Sequence, residues 1–466
     1  MNPSLPTFQN PQILPVVMKI AQAIRAEGGR AFLVGGAVRD SILGIPAKDA
    51  DLEVYGLQPK VLEGLAAGFG SVHLVGQRFA ILHLSTQAGP VELSLPRTES
   101  KTGPGHKGFE VKALPDLSFK EASRRRDFTV NSMLQDPLTA EIIDPWNGRA
   151  DLEIGLLRHV SSAFAEDPLR ALRAARFAAR YKWRIDRQTS ALCRRLDLNE
   201  LPQERLEQEW RGLLMESQWP GYGLLAMEEV GAMRIFPEIR HLRSIPQDPV
   251  WHPEGDVFIH TALCLDAAVG LREQMEDPWV EMLAVLCHDF GKATTTAFER
   301  GRWRCPAHDV RAEPLVHSFL HRLTRQHGIA EQVNALVREH LRPSQLYFAR
   351  EHVSSSAIRR LATRVPIPAL VRVAWSDAAG RTEKNPEPWP PGHWLLEQAA
   401  QLGVEDQAPQ PILQGRDLIQ NGLKPSREFG DILSRAFDAQ LEGQFDDHEH
   451  ALAWLCQNYD LPSEES

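Results

Sequence analysis

A short apolar strand, Ala31-Phe32-Leu33-Val34, runs into the pair Gly35-Gly36, and Val38 to Leu43 then reads as a helix. A second strand, Asp51 to Tyr55, is headed by Lys48-Asp49-Ala50-Asp51. A strand that turns on two glycines into a helix, with an acid-headed strand next, commits this part of the chain to a small α/β domain. Ala80 to Ser85 and Val91 to Leu95 predict two more strands. Arg97 to Gly108 holds Gly103, Pro104, Gly105 and Gly108 and predicts a flexible loop. The domain ends near Asp144-Pro145-Trp146-Asn147-Gly148.

From Asp151 the pattern turns helical. Pro168 predicts a first helical turn after Glu166 and Asp167, and arginine recurs at 170, 173, 176 and 180 along Leu169 to Tyr181. Further helices are expected near 187–197, 204–216 and 222–233, and Pro237, Pro246, Pro249 and Pro253 mark a boundary. A second helical block runs from about His260 to Asp377, a proline-rich linker covers 385–391, and helix returns over 411–460. The expected class is α+β, in a chain of 466 residues with room for about two to four domains.

The 52 basic and 61 acidic side chains leave a net charge of −9, which argues against a protein that coats nucleic acid over its whole surface but permits a local basic groove. The five cysteines form no Cys-x-x-Cys pair, so neither a zinc ribbon nor a disulfide framework is expected. No apolar run approaches a membrane span, and Met1 to Pro15 lacks the make-up of a signal peptide. The expected location is the cytoplasm, with no membrane partner.

Asp49 and Asp51 are two apart at a strand head, so period-two geometry puts both carboxylates on one face. Hard oxygen ligands there suit Mg²⁺, with Glu92 as a third carboxylate. The same pair reads equally as a solvated acidic turn. Gly35-Gly36 is either an ordinary tight turn or a source of bare backbone N–H groups for phosphate; Arg39, one turn on, favours the second. Arg124-Arg125-Arg126 is either a solvated patch or a bidentate phosphate ligand, and Asp127-Phe128-Thr129-Val130-Asn131 follows at once. Together these runs describe a site for nucleoside triphosphate chemistry.

In this order the motifs resemble the class II tRNA nucleotidyltransferases, the CCA-adding enzymes, and their poly(A) polymerase relatives. The matching stretches are Leu33–Asp51, Arg125–Met133, Asp144–Leu152, Glu166–Arg180 and Glu204–Leu214. The resemblance implies that Gly35 and Gly36 bind triphosphate, that Asp49 and Asp51 hold the catalytic metals, and that Arg125, Arg126 and Asp127 contact the nucleotide; Glu92 is a further catalytic candidate and Arg39 and Asn131 further nucleotide-binding candidates by position. It implies CTP, ATP and tRNA as substrates, with pyrophosphate released. It implies a nucleotidyltransferase head over 1–150, a helical neck over 151–245, a metal-dependent body over 246–382 and a linker and helical tail over 383–466.

Asp167 and Arg170 are three apart at a helix start, a neighbouring pair. Cytosine and adenine each offer an amino donor beside a ring nitrogen acceptor, while uracil and guanine reverse both groups. One carboxylate and one guanidinium can therefore select CTP and ATP without a nucleic-acid template. The family's template motif maps onto these two residues; the other reading is an intrahelical ion pair. Arg173 and Arg176 continue the helix as phosphate contacts or supports, and Glu204, Arg205 and Glu209 read as braces. The loop Arg97–Gly108 is full length, which implies that the terminal A is added. Relatives that add only CC or only A, or polymerise A, share the motifs.

His260, His288-Asp289 and Asp377 form an ordered set that resembles the HD metal-dependent phosphohydrolases. Imidazole and carboxylate suit a divalent transition metal of the Ni, Mn, Co or Fe class. His308 and His317 are candidates for a second metal, and Lys292 for phosphate charge or a helix cap. Certain bacterial CCA-adding enzymes carry such a domain with phosphatase and cyclic phosphodiesterase activities, and degenerate versions act as tRNA-binding scaffolds. A phosphohydrolase whose head only senses nucleotide is the contrasting class. Monomer and homodimer are equally open.

Overall fold

Helix α1 (Ile13–Ala26) buries Val17, Ile20, Ala21 and Ile24 along one stripe and leads into β1 (Arg30–Val34), whose last four residues are all buried. The structure, a computed structural model, describes residues 5–74, 81–101, 109–381 and 388–459. The chain divides into two units, Met1–Ile235 and Phe236–Ser466.

In the first unit, β1 turns at Gly35 into α2 (Gly36–Ile42). Then come β2 (Ala50–Tyr55), α3 (Pro59–Ala66), β3 (Ser71–Leu74), β4 (Ile81–Thr86) and β5 (Gly89–Ser94). The short strands β8 (Leu134–Gln135) and β9 (Ile142–Ile143) complete a seven-stranded sheet of order β3-β4-β5-β2-β1-β8-β9. Among these pairs only β2 and β5 run parallel. The sequence predicts four of these strands and misses β3, β8 and β9; the last two are two residues each, too short to carry a period. The described part of the predicted strand from Ala80 starts at Ile81.

The predicted loop Arg97–Gly108 needs correction. β6 (Arg97–Lys101) pairs antiparallel with β7 (Phe109–Ala113), in a register running from Arg97 opposite Ala113 to Lys101 opposite Phe109. Ladder pairing with Phe109–Ala113 makes Arg97–Lys101 a strand. Residues 102–108, on which the length argument depends, lie outside the described residues, as do 382–387 of the proline-rich linker.

A capping box at Ser118 and Glu121 starts α4 (Phe119–Ser123), and Phe119 packs edge-on against Phe32 and Tyr55 with ring centroids 5.0 and 4.9 Å away. This aromatic cluster fixes α4 on the sheet and so fixes the arginine run that follows it. After α5 (Gly148–Glu153), a 3₁₀ turn over Ser162–Glu166 precedes α6 (Arg170–Tyr181). Pro168 lies in the turn before α6 rather than inside its first helical turn. The remaining helices of the unit are α7 (Arg187–Cys193), α8 (Gln203–Arg211) and α9 (Pro220–Glu229).

The second unit is helical, with long segments at Val257–Ala268, Pro278–Cys287, Ile329–Glu339 and Ile367–Ala379 and one hairpin, Ala297–Glu299 with Arg302–Arg304. Its last helices, Gly415–Gln420, Glu428–Glu442 and His448–Asn458, close on Leu418, Ile432, Ala436, Phe445 and Leu455. No helix among the described residues is long and apolar enough to cross a membrane. All five cysteines are free thiols.

Candidate functional site

Strand β2 places Asp51, Glu53 and Tyr55 on one face by the two-residue period of a strand. The parallel pairing with β5 sets Asp51 opposite Glu92, and the antiparallel pairing of β4 sets His83 opposite Glu92 on its other side. Nε2 of His83 lies 3.7 Å from a Glu92 carboxylate oxygen. Asp49 is exposed just ahead of the strand. Burial, then the Glu92 carboxylate, with a smaller push from Asp49, raises Asp51 to about 6 against the lowering effect of Arg126. Asp51 and Glu92 sit opposite each other on neighbouring interior strands, with Asp49 near enough to act on Asp51, and carboxylate oxygens of this kind fit a hard divalent ion.

Arg126 joins these carboxylates to the glycine turn. Gly35 has φ +68°, and a Cβ there would stand 3.4 Å from the Arg126 guanidinium. Behind Arg126 lies Glu53, fully buried. It accepts hydrogen bonds from Arg125 at 3.1 Å and from the Tyr55 hydroxyl at 3.0 Å, and Arg126 stands 3.8 Å away. Burial favours the neutral acid, but Arg126 and Arg125 outweigh it and hold Glu53 below the usual carboxylate range. Two of the three consecutive arginines are thus oriented by one buried acid. Arg124 is exposed. The sequence reading missed Glu53; its signal was an acid at a core position of an apolar strand.

The other predicted residues form one network. Arg39 is 4% exposed, donates to Asp40 at 2.8 Å and to Asn131 Oδ1 at 2.6 Å, and stacks over Phe177 and Tyr181. Asn131 donates to Asp127 at 3.1 Å, and Arg173 donates twice to Asp127, at 3.0 and 2.7 Å. Arg176 donates to Glu209 at 2.6 Å. Burial would raise Asp127, yet Arg173 and Asn131 hold it well below the ordinary range. These groups engage one another and tie α2, α6 and α8 together.

Asp167 and Arg170 are not paired with each other. Asp167 accepts from Arg205 of α8 at 3.2 and 2.8 Å and from the Leu169 backbone N–H. Arg170 donates to the carbonyls of Ala163 and Arg125. The ion-pair reading of this spacing therefore fails, because each partner is drawn to a different neighbour. Arg205 orients the Asp167 carboxylate.

A second cluster lies in the other unit. His260, His288, Asp289, His308, His340 and Asp377 are all buried. The Nε2 of His260 is 3.0 Å from Asp377, and its Nδ1 is 2.7 Å from Glu254, which also holds His252 at 2.9 Å. Asp289 meets Lys292 at 2.7 Å and Asp377 meets Arg381 at 2.9 Å. Lys292 Nζ also donates to Gln247. Burial pushes His340 down to about 4, helped by His288 and His308. Burial also opposes charge on His288, but Asp289 overrides it and raises that imidazole. Gly291 allows the approach of the His308 segment, since a Cβ there would stand 1.9 Å from the His308 carbonyl.

His317 needs correction. It is exposed on the helix Glu313–Leu323 and lines a surface groove with Asp309, Glu313 and Arg338. The place predicted for it is taken by His340, which ends the helix Ile329–Glu339 and has no neighbouring aspartate to mark it in sequence.

A family model described as the poly(A) polymerase head domain matches residues 31–158. The multifunctional CCA protein of Alkalilimnicola ehrlichii is 37% identical over 447 residues, covering 93% of this chain and 99% of that protein. Among solved structures, the Thermotoga maritima CCA-adding enzyme complexed with tRNA has a TM-score of 0.59 at 19% identity over 96% of each chain. A CCA-adding enzyme complexed with ATP has a TM-score of 0.64 at 19% identity, covering 98% of this chain and 96% of that one. At such identities the structures speak for the fold.

Proposed function

The chain belongs to the multifunctional CCA protein family, and from that premise we propose that it adds C, C and A to tRNA 3′ ends from CTP and ATP, in the cytoplasm, with release of pyrophosphate. The observation that carries the reading is the pairing of Asp51 with Glu92 on adjacent strands, with Arg126 acting on Asp51 and lying against the glycine turn. These carboxylates would hold divalent metal, which we assign as Mg²⁺. When bound, magnesium would supply the positive charge that activates the 3′-hydroxyl and steadies the leaving pyrophosphate.

The protein's own residues do the positioning. Glu53 aims Arg125 and Arg126 toward the triphosphate. Gly35 and Gly36 keep that approach open. The network of Arg39, Asn131, Asp127, Arg173 and Arg176 holds the template helix α6 against the head, so that Asp167 and Arg170 face the base. Arg205 holds the Asp167 carboxylate ready to accept from the amino group of cytosine or adenine. We retain the division into head 1–150, neck 151–245, body 246–382 and tail 383–466 as functional segments.

The direct test supplies tRNA ending at the discriminator base, at C or at CC with each labelled nucleotide. Addition of C, C and then A supports the reading; A alone or C alone would replace it with a restricted enzyme.

Asp167→Asn turns an acceptor into a donor at the base edge. The preference for CTP over UTP, measured as the ratio of kcat/KM values, is expected to fall about tenfold to a hundredfold. Arg205→Ala is expected to move the same ratio in the same direction. An unchanged ratio in both variants would remove Asp167 from base selection.

We further propose that His260, His288, Asp289 and Asp377 form an HD-type metal site for phosphoester hydrolysis. The donors fit a transition metal: Nε2 of His288 is buried with no hydrogen-bond partner, beside two carboxylates. A metal bound there would supply Lewis acidity to a phosphoester. His288→Ala is expected to abolish phosphoester hydrolysis and leave nucleotide addition intact, whereas a nucleotide-sensing head would lose its main activity with His288 rather than with Asp51.

A further inference from the structure

The hairpin of the second unit carries an aromatic and basic surface that nucleotide addition does not use. Phe298 is 61% exposed and stands directly opposite Trp303 across the ladder. The two rings meet edge to face, with centroids 5.2 Å apart. The tip is Arg300-Gly301, where φ is +51° and +80°. A two-residue turn of this hand favours asparagine, aspartate or glycine. Arginine at Arg300 is held against that backbone preference, a cost that tends to persist where function keeps it. Arg302 and Arg304 follow on the returning strand. Arg300 and Arg302 are exposed and Arg304 is half-buried, with its Nε buried and without a hydrogen-bond partner. Glu299 is the one carboxylate of the hairpin, and none of the three arginines forms an ion pair among the described residues.

The base of the hairpin is anchored. Its first strand leaves the short helix Lys292–Thr295, and its second returns through Cys305 to His308, whose Nδ1 lies 2.9 Å from the Cys305 carbonyl. Thr296 donates to the Lys292 carbonyl at 2.7 Å and lies 3.2 Å from the Cys305 sulfur. A fixed base thus presents an open tip. Alternation puts Phe298 and Trp303 on one face of the ribbon and Arg302 and Arg304 on the other. Paired strands are only about 5 Å apart, so a long guanidinium side chain reaches from one face to the ribbon's edge. Unpaired cations call for an anion, and exposed rings call for a flat apolar partner. A nucleotide strand offers both, a phosphate and a base at every step. An acidic protein surface would satisfy the arginines and leave the rings without a face to stack on.

We propose that the hairpin 297–304 grips a single-stranded RNA segment, with bases stacked on Phe298 and Trp303 and phosphates met by Arg300, Arg302 and Arg304. Resting on the reading of the chain as an enzyme of tRNA, this gives the second unit an RNA contact of its own, with or without metal in the buried cluster.

The test mixes the full chain with a single-stranded RNA of about eight nucleotides that carries a photoreactive thiouridine, with the same sequence inside a duplex, or with tRNA carrying that base. After irradiation, crosslinked peptides are identified by mass spectrometry, and crosslinks to the first unit serve as the internal standard. Crosslinks to residues 297–304 are expected from the single strand and not from the duplex. Titrating the RNA gives an apparent Kd for the hairpin itself. Phe298→Ala, at an exposed position, is expected to weaken it about tenfold. Arg300→Ala with Arg302→Ala should lower the slope of log Kd against log salt by about 1. Labelling of 297–304 by tRNA would identify the segment as part of tRNA; labelling by the free strand alone would identify it as another RNA. No label on 297–304 while the first unit is labelled, or an unchanged Kd in both variants, would overturn the grip. Equal labelling by the duplex would overturn the single-strand assignment. Addition to staged tRNA ends is measured separately, so the enzyme reading stands or falls independently of the hairpin.

Discussion

Asp51→Asn is expected to lower nucleotide addition by about 10³-fold or more in kcat/KM while leaving the fold at least as stable. The two effects separate because the same crowding that suits a cation works against the empty site. The Asp51 carboxyl is raised from 3.8 to about 6 by burial and by Glu92, so the folded protein binds this proton more tightly than the unfolded chain does. The resulting stabilisation is complete below the unfolded pKa and is lost as pH rises through about 6. At neutral pH the ionised carboxylate opposes folding until metal arrives. Asparagine never ionises and keeps the stability. Melting temperatures in chelator should therefore favour the variant at pH 7 more than at pH 5, and Mg²⁺ should narrow the gap by stabilising the unsubstituted protein alone. Parallel behaviour at both pH values, or retained addition, would remove Asp51 from the metal edge.

Asp127→Ala is expected to cost about 3–5 kcal/mol in urea unfolding of the first unit. Its partners are the reason. Arg173 loses both of its hydrogen bonds to Asp127, Asn131 loses an acceptor, and the Phe128 N–H loses the Asp127 oxygen 2.8 Å away. Arg173 is partly exposed and keeps some hydration, which places the loss toward the lower end of that range. Asp127→Asn keeps the shape and an acceptor and should cost less. The pH sign is opposite to that of Asp51. A depressed carboxyl stabilises the fold above its ordinary pKa and is lost as pH falls through the folded value. The gap between the unsubstituted protein and the alanine variant should be full at pH 7 and shrink in acid. A gap that widens in acid would contradict the assignment.

Several members of the site were legible before any coordinates. Asp51 was legible at the head of β2, a strand because Leu52 and Val54 alternate with Asp51 and Glu53, while Asp49 lies just ahead of it. The glycine turn followed from its place between an apolar strand and a helix. His260, His288-Asp289 and Asp377 stood out by residue type and order. Other members are set by partners far away in the chain. Glu53 is an acid at a core position of an apolar strand, and the arginines that neutralise it come from the run at 125 and 126. His340 looked like any helix-terminal histidine.

Residue type and spacing by themselves determined the elements that carry the motifs, the chemistry each motif could supply and the family to which the motifs belong, because those depend on local periods and on which atoms a side chain carries. Only the tertiary structure decided partnership: that Asp51 sits beside Glu92, that Asp167 turns to Arg205 instead of Arg170, and that His340 rather than His317 joins Asp289. A charged or polar side chain reaches whichever complement the packed backbone brings within about 3 Å, and that choice is made by strand register and helix packing between segments far apart in the chain.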